Sequence, residues 1–156
     1  MAIIRSDIQL KRILKRLRIK KKKLVVTNGC FDILHSGHIK LIKQSKEFGD
    51  ILILLINTDK SVKKNKGSSR PILKENIRLK ILSSIKYIDY IIPFDDKTPV
   101  KLYKMIRPDI LVKGGQYRKD KIAGSKIILK YGGKIKLVKM VNKISTSIII
   151  DKIKNL

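Results

Sequence analysis

Two histidines that lie three residues apart form a candidate phosphate-binding site. His35 and His38 are the only histidines of the chain, and residues 28–38 read Asn-Gly-Cys-Phe-Asp-Ile-Leu-His-Ser-Gly-His. A helical pattern begins near His38, so one imidazole stands just before a helix and the other in its first turn. The free N–H groups of a helix N-terminus favour phosphate, and imidazoles there can donate hydrogen bonds to phosphoryl oxygens or carry a proton near pH 7. Gly29 permits a tight turn, and Gly37 permits a close approach of the backbone to a ligand.

This segment has two other interpretations. The histidines can be structural residues beside a turn, or they can be metal ligands. A metal site needs a third ligand, and Asp32 is the obvious candidate nearby. The succession of an apolar run, a turn glycine and a helix favours the phosphate site.

Short apolar runs alternate with helical patterns along the whole chain. Ser6 and Gln9 have the spacing of a capping box, which starts the first helix. Nearly all-apolar strands predict a parallel sheet that helices cover on both faces. We therefore expect an α/β fold with a Rossmann-like, doubly wound, parallel five-stranded sheet. The predicted strands are residues 24–27, 51–56, 90–92, 110–112 and 134–138. Further helices are predicted over residues 36–48, 74–84, 99–106, 122–130 and 145–153, and a mobile loop over residues 60–71.

The predicted strands end in the distinctive polar and glycine residues of the chain. In such sheets the ligand lies outside the carboxyl ends of the strands, where the strand order reverses. We therefore expect four segments to meet there, namely residues 28–38, 57–59, 113–116 and 142–147. We also expect one domain over residues 1–156, with residues 1–22 forming an N-terminal helix and a basic link.

The composition limits the classes of function. The net charge of +26 allows a basic nucleic-acid-binding module. Lysine and isoleucine supply 59 of 156 residues against two alanines, which is typical of AT-rich coding, and lysine is spread over nearly every segment. No aromatic cluster offers a stacking platform for single strands. We therefore expect no nucleic-acid partner, although the charge attracts phosphorylated substrates.

Targeting and redox features are sparse. A single cysteine excludes a disulfide framework and a multi-cysteine zinc site. No apolar run approaches the roughly 20 residues that span a bilayer. Charges among the first residues are not typical of a signal peptide. We expect a cytoplasmic protein with no membrane partner.

Residues 29–38 resemble the HxGH motif of the nucleotidyltransferase superfamily, which includes cytidylyltransferases and some adenylyltransferases. Within that superfamily, the order of further motifs resembles the adenylyltransferases that act on D-glycero-β-D-manno-heptose 1-phosphate, in their stand-alone form without a kinase domain. Those motifs are residues 27–38, 57–59, 61–62, 66–67, 70–71, 78, 89, 93–94, 98–99, 108–109, 112–115, 123–125 and 145–146.

The resemblance implies a nucleotidyltransferase-type sheet and a specific reaction. The sugar 1-phosphate would attack the α-phosphorus of ATP, giving ADP-heptose for the lipopolysaccharide core and releasing pyrophosphate. Because this nucleophile is already anionic, catalysis is mostly alignment and neutralisation of charge. Mg²⁺ would be held by the phosphates and water rather than by protein ligands. A homodimer is expected by analogy alone.

The resemblance also implies residue roles. The catalytic candidates are His35, His38 and Lys66. The nucleotide-binding candidates are Asn28, Gly29, Cys30, Phe31, Gly37, Lys113, Gly114, Gly115, Ser145, Thr146 and Ser147. The substrate-binding candidates are Asp32, Asn57, Asp59, Arg70 and Arg78.

Several of these roles have alternatives. Asp32 can be a structural hydrogen-bond acceptor, and Arg78 can form a surface salt bridge. Lys66 can be one of many solvated lysines, and Cys30 is expected to be a small buried residue rather than a nucleophile. A plain turn is the alternative for residues 113–115.

The chain departs from the pattern at a few positions. Gln116 stands where an acidic residue is expected, and Lys143 and Ile144 precede Ser145 where a glycine is common. The rival enzymes are a glycerol-3-phosphate cytidylyltransferase and other HxGH transferases, and a degenerate, non-catalytic fold is a third class. The Lys113-Gly114-Gly115 segment favours the adenylyltransferase.

Overall fold

A parallel sheet flanked by helices on both faces forms the centre of the computed structural model, which describes residues 1–115, 118–139 and 144–156. The strands lie in the order β1-β4-β3-β2-β5-β6. They are β1 Ala2–Ile3, β2 Leu24–Gly29, β3 Ile51–Asn57, β4 Tyr90–Phe94, β5 Ile110–Gly114 and β6 Lys134–Val138. The helices are α1 Asp7–Ile19, α2 Ser36–Glu47, α3 Asp59–Lys66, α4 Glu75–Ser83, α5 Val100–Ile106, α6 Ser125–Lys130 and α7 Thr146–Lys154, with a 3₁₀ turn at Lys119–Lys121.

The predicted fold class is confirmed, with a correction to the number of strands. Six strands, not five, pair in the described residues, and the sixth is β1 at the edge beside β4. Ala2 pairs with Tyr90 and Ile3 with Ile91. Two residues are too few to show the alternation of a strand. Strand β1 is defined only by its pairing with β4, which the sequence pattern does not indicate.

The prediction of a loop over residues 60–71 is wrong for its first half. Residues 59–66 form α3, which Thr58 caps by accepting a hydrogen bond from the backbone of Ser61. The helix was missed because lysines at half of its positions hide the buried contacts of Ser61 and Val62. Strand β4 also continues through Pro93 to Phe94.

The core consists of two layers, one on each face of the sheet. Alternate strand residues such as Val26 and Leu111 pack towards α1, α5 and α6. Their neighbours Val25 and Val112 pack in the other layer, with residues of α2 and α4. Burial on both faces explains why the strands are apolar throughout. Among the described residues, no helix has the length and hydropathy to cross a bilayer.

The chain leaves β2 towards β3 and β4 on one side and returns to β5 and β6 on the other. The strand order therefore reverses between β2 and β5. The carboxyl ends of these two strands mark the crevice where such sheets bind ligands.

Arg78 joins the loops at this edge of the sheet. Its Nη1 donates to the carbonyls of Cys30, at 2.7 Å, and Asn57, at 2.8 Å. Its Nε donates to the carbonyl of Leu73 at 2.9 Å, and its Nη2 to Asp59 Oδ1 at 2.7 Å. The residue is 1% exposed, so the alternative of a surface salt bridge is wrong. One guanidinium thus fixes the ends of β2 and β3 to the segment before α4.

We predict that Arg78→Leu lowers the free energy of unfolding by about 3 kcal/mol, because it orphans three carbonyls and one carboxylate. Chemical denaturation followed by circular dichroism measures this. Lys80→Leu on the exposed side of the same helix is the matched control and should change stability by less than about 0.5 kcal/mol. Equal effects of the two substitutions would contradict the structural role of Arg78.

Candidate active site

A cavity of about 460 Å³ opens at the carboxyl ends of the central strands. We expected residues 28–38, 57–59, 113–116 and 142–147 to meet at this edge of the sheet. All four segments contribute to the lining, with most of their described residues. The lining also includes two cationic side chains, Lys66 and Arg70, from the segment after β3. The predicted site residues that line the cavity are Asn28, Gly29, Cys30, Phe31, Asp32, His35, His38, Asn57, Lys66, Arg70, Lys113, Gly114, Ser145, Thr146 and Ser147.

Four predicted site residues do not line this cavity. Arg78 and Asp59 pair with each other outside its lining. Gly37 is buried in the first turn of α2, and Gly115 donates its N–H to the carbonyl of Val138. Gln116, Asn142 and Lys143 lie outside the described residues, so the structure does not test the effect of the departures at positions 116 and 143.

The two histidines stack on each other at the start of α2. His35 occupies the N-cap position, and the ring centroids of His35 and His38 lie 3.8 Å apart. Phe31 packs against His38, with ring centroids 5.1 Å apart and the two rings tilted by 51°. Within the described part of the chain, Nδ1 of each histidine is buried without a hydrogen-bond partner. The site therefore holds two imidazoles in fixed, mutually supporting positions.

Burial sets the protonation state of these imidazoles. It lowers the pKa of His38 to about 4, with a further contribution from His35 and partial opposition from the backbone of Ile33. Burial also lowers the pKa of His35. Both rings are therefore neutral at pH 7 while no anion is bound. A phosphate beside them favours the charged form and would raise both pKa values.

The turn after β2 places the Phe31 side chain against the strand end. Phe31 has φ of +47°, a left-handed conformation that non-glycine residues adopt uncommonly. A Cβ on Gly29 would lie 3.2 Å from the Phe31 ring, so glycine leaves the space that the ring occupies. This close packing fixes the Phe31 ring, which in turn contacts His38 of the histidine stack.

Asp32 is a structural acceptor, as one of its two interpretations predicted. Its Oδ2 accepts from Arg70 Nε at 2.7 Å and from the backbone of Ile72 at 2.9 Å, and its Oδ1 accepts from the backbone of Leu73 at 2.8 Å. The residue is 1% exposed. These bonds hold the segment after α3 against the cavity and bring Arg70 into its wall.

A hydrogen-bond network joins the end of β2 to β5 and α5. Asn28 Oδ1 accepts from Tyr103 Oη at 2.7 Å and from Lys113 Nζ at 2.8 Å. Burial lowers the pKa of Lys113 to about 8 and raises the pKa of Tyr103. The sequence analysis missed Tyr103, because nothing in the helical pattern of α5 indicates that this phenol reaches β2.

Cys30 has the environment of a protonated thiol. Its Sγ lies 3.8 Å from Asn57 Oδ1, and burial raises the thiol pKa. Asn57 in turn donates through Nδ2 to Ser61 Oγ at 2.8 Å. Because the nucleophilic form of cysteine is the thiolate, this environment does not activate Cys30.

Helix α7 brings its N-terminus to the cavity. Ser145 Oγ caps the helix by accepting from the backbone of Ile148 at 3.2 Å. Ser145, Thr146 and Ser147 line the cavity together. Hydroxyls and unpaired N–H groups at a helix start are suited to phosphate.

The charges of the cavity favour a polyanion. Lys66, Arg70 and Lys113 contribute cations to its lining, whereas the carboxylate of Asp32 is engaged by three N–H groups. No group of three His, Cys, Asp or Glu residues positioned to hold a metal occurs in the ranges that the structure describes. Mg²⁺ prefers several oxygen ligands, and among the described residues that line the cavity the one carboxylate, Asp32, already accepts three hydrogen bonds.

The chain is similar in sequence to curated bacterial proteins over nearly all of its length. The chain is 43% identical over 141 residues to the bifunctional protein HldE of Geobacter metallireducens, covering 90% of this chain and 29% of that protein. It is 43% identical over 151 residues to the bifunctional protein HldE of Haemophilus influenzae, covering 97% of this chain and 32% of that protein. The chain thus spans about three tenths of the length of these curated relatives.

Solved structures share the fold. The lipopolysaccharide core biosynthesis protein from Thermoplasma volcanium superposes with a TM-score of 0.63 at 32% identity, covering 79% of this chain and 99% of that one. The pantoate-beta-alanine ligase from Francisella tularensis superposes with a TM-score of 0.65 at 20% identity, covering 100% of this chain and 73% of that one, and supports the fold alone. The family described as cytidylyltransferase-like matches residues 26–152. The chain belongs to this cytidylyltransferase-like family, and the prediction of a nucleotidyltransferase is confirmed at that level.

Proposed function

We propose that the chain transfers AMP from ATP to D-glycero-β-D-manno-heptose 1-phosphate, giving ADP-heptose and pyrophosphate for lipopolysaccharide core biosynthesis. The observation that carries the proposal is the stacked pair His35 and His38 in a cavity that also contains Lys66, Arg70 and the start of α7. The order of the motifs, the similarity to the HldE proteins and the name of the lipopolysaccharide core biosynthesis protein support the choice of substrate.

The proposed reaction is a direct displacement at the α-phosphorus. A phosphate oxygen of the sugar 1-phosphate forms the new P–O bond as the bond to the β-phosphate oxygen breaks. The electron pair of the broken bond leaves with pyrophosphate. Because the attacking oxygen is already anionic, no residue has to remove a proton, and Cys30 need not act as a covalent nucleophile.

The neutral histidines bind the reacting phosphate as hydrogen-bond donors. Charge that accumulates on the α-phosphoryl oxygens would favour an imidazolium and thus strengthen these hydrogen bonds in the transition state. The stack of His35 and His38 on Phe31 restricts their motion, so the donors are oriented before the substrate binds.

The cations Lys66 and Arg70 and the hydroxyls of Ser145 and Thr146 would bind the β- and γ-phosphates. Mg²⁺, arriving with ATP as part of the substrate, would supply further neutralisation of the triphosphate. A homodimer, expected by analogy with the family, and a cytoplasmic location, expected from the composition and the targeting features, also belong to the proposal.

Pyrophosphate release tests the proposed function. ATP and CTP are each supplied with heptose 1-phosphate and with glycerol 3-phosphate in the presence of Mg²⁺. We expect release only with ATP and heptose 1-phosphate. Release with CTP and glycerol 3-phosphate would overturn the substrates and retain the chemistry, whereas no release by the folded protein would overturn the activity.

We predict that His35→Ala and His38→Ala each lower kcat by roughly 10²–10³ while the fold is retained, because each removes a donor to the transition state. Steady-state kinetics and circular dichroism measure the two effects. Lys43→Ala, on the exposed side of the same helix, is the matched control and should have wild-type kcat. A histidine variant with wild-type kcat would remove that residue from the mechanism.

We predict that His38 titrates near pH 4 in the free protein and at a higher pH with a bound ATP analogue. Because its folded pKa lies below its unfolded value, the unfolded state binds more protons between these pKa values. The free energy of unfolding should therefore fall as the pH drops from about 6.5 to 4. NMR of labelled histidine measures the titration, and a free-state pKa near 6.5 that nucleotide leaves unchanged would contradict the prediction.

A further inference from the structure

A second, smaller cavity adjoins the cavity of about 460 Å³ that contains the two histidines, which we call the nucleotide cavity. Its volume is about 180 Å³, and it is lined partly by residues of α5 and of the segment that leads into α6. Asn28 and Lys113 line both cavities, so these two residues mark the junction. The proposed transfer of AMP needs a second binding site that meets the first at the reacting phosphorus, and two cavities that share lining residues offer such a meeting point.

The second cavity is suited to an anion with hydroxyl groups. Lys97, Lys113 and Lys121 contribute three cations, Thr98 contributes a hydroxyl, and no carboxylate occurs among the described residues that line it. Lys97 and Lys121 are exposed at the surface, whereas Lys113 lies at the inner end, next to Asn28. The charge would draw a phosphorylated ligand inwards to the junction.

The two cavities also have the right relation for a displacement reaction. Lys66 and Arg70, which we assign to the leaving pyrophosphate, belong to the segment that follows β3. Lys113 belongs to β5, which lies on the other side of β2 in the sheet. A phosphate at Lys113 would therefore approach from the side opposite to the leaving group, as direct displacement requires.

We propose that the second cavity binds the acceptor sugar 1-phosphate, with Lys113 holding its phosphate at the junction. This inference rests on the proposed adenylyl transfer and changes the role of Lys113 from nucleotide binding to acceptor binding. The phosphate oxygen beside Lys113 forms the bond to the α-phosphorus, and the bond to the departing pyrophosphate breaks.

Tyr103 acts as a positioning residue in this arrangement. Its Oη donates to the same Asn28 oxygen that accepts from Lys113 Nζ, so the phenol fixes the amide oxygen that orients the lysine. Tyr103 is 1% exposed and packs in the core layer that includes α5 and α6. Its effect on the reaction passes through Asn28 and Lys113.

Lys113→Met tests the proposal, because methionine keeps the length of the side chain and removes its charge. We expect KM for heptose 1-phosphate to rise at least tenfold, with the Kd of a non-hydrolysable ATP analogue within twofold of wild type. Isothermal titration of heptose 1-phosphate into the protein saturated with that analogue gives a readout that does not need turnover. Lys130→Met, exposed on α6, is the matched control.

The outcomes separate this inference from the proposed function. A wild-type protein without activity in any substrate combination contradicts the function itself. An active wild type whose Lys113→Met variant binds the acceptor normally, or loses nucleotide affinity instead, overturns the inference alone.

Two milder variants keep the test decisive if Lys113→Met fails to fold. Lys121→Met at the mouth of the second cavity should weaken acceptor binding severalfold and leave the nucleotide Kd unchanged. Tyr103→Phe should raise the acceptor KM about threefold to tenfold, as expected for loss of one hydrogen bond. Unchanged acceptor binding in both variants would overturn the proposal.

Discussion

The buried guanidinium of Arg78 is the interaction on which the candidate site depends. It binds the carbonyls that end β2 and β3, the carbonyl of Leu73 before α4 and the carboxylate of Asp59. Without it, three loops that contribute to one cavity would have no common anchor. Asp32 adds a second anchor by binding Arg70 and the adjoining backbone. The sequence analysis listed both charged residues as substrate-binding candidates, with a structural acceptor as the alternative for Asp32. The structure uses their charges to hold the walls in place.

Burial then determines the chemistry of the side chains that these anchors position. It lowers the pKa of His38 to about 4 and that of Lys113 to about 8, and it raises the pKa of Cys30. The free cavity thus has neutral imidazoles, a lysine that is easily deprotonated and an inactive thiol. Anionic phosphates would reverse the first two shifts, because they stabilise the charged forms. A site of this kind aligns and neutralises substrates instead of attacking them.

The fold was largely predictable, because apolar strands and capped helices are local patterns. The alternation from Leu24 to Val138 predicted the doubly wound sheet, and the motif ending at His38 located the cavity at its carboxyl edge. Strand β1 and helix α3 were missed, since β1 depends on pairing with β4 and α3 is masked by lysines. The contacts of Arg78 and Tyr103 could not be predicted either. Both side chains reach partners more than 20 residues away, which only the packed sheet brings close.

In the proposed reaction AMP passes directly between two bound substrates, with no covalent intermediate on the protein. Isotope exchange between labelled pyrophosphate and ATP tests this step. Direct transfer predicts no labelled ATP when the protein has only ATP and pyrophosphate, and rapid labelling once heptose 1-phosphate is added. Exchange in the absence of the sugar phosphate would require an adenylylated residue and would contradict the account.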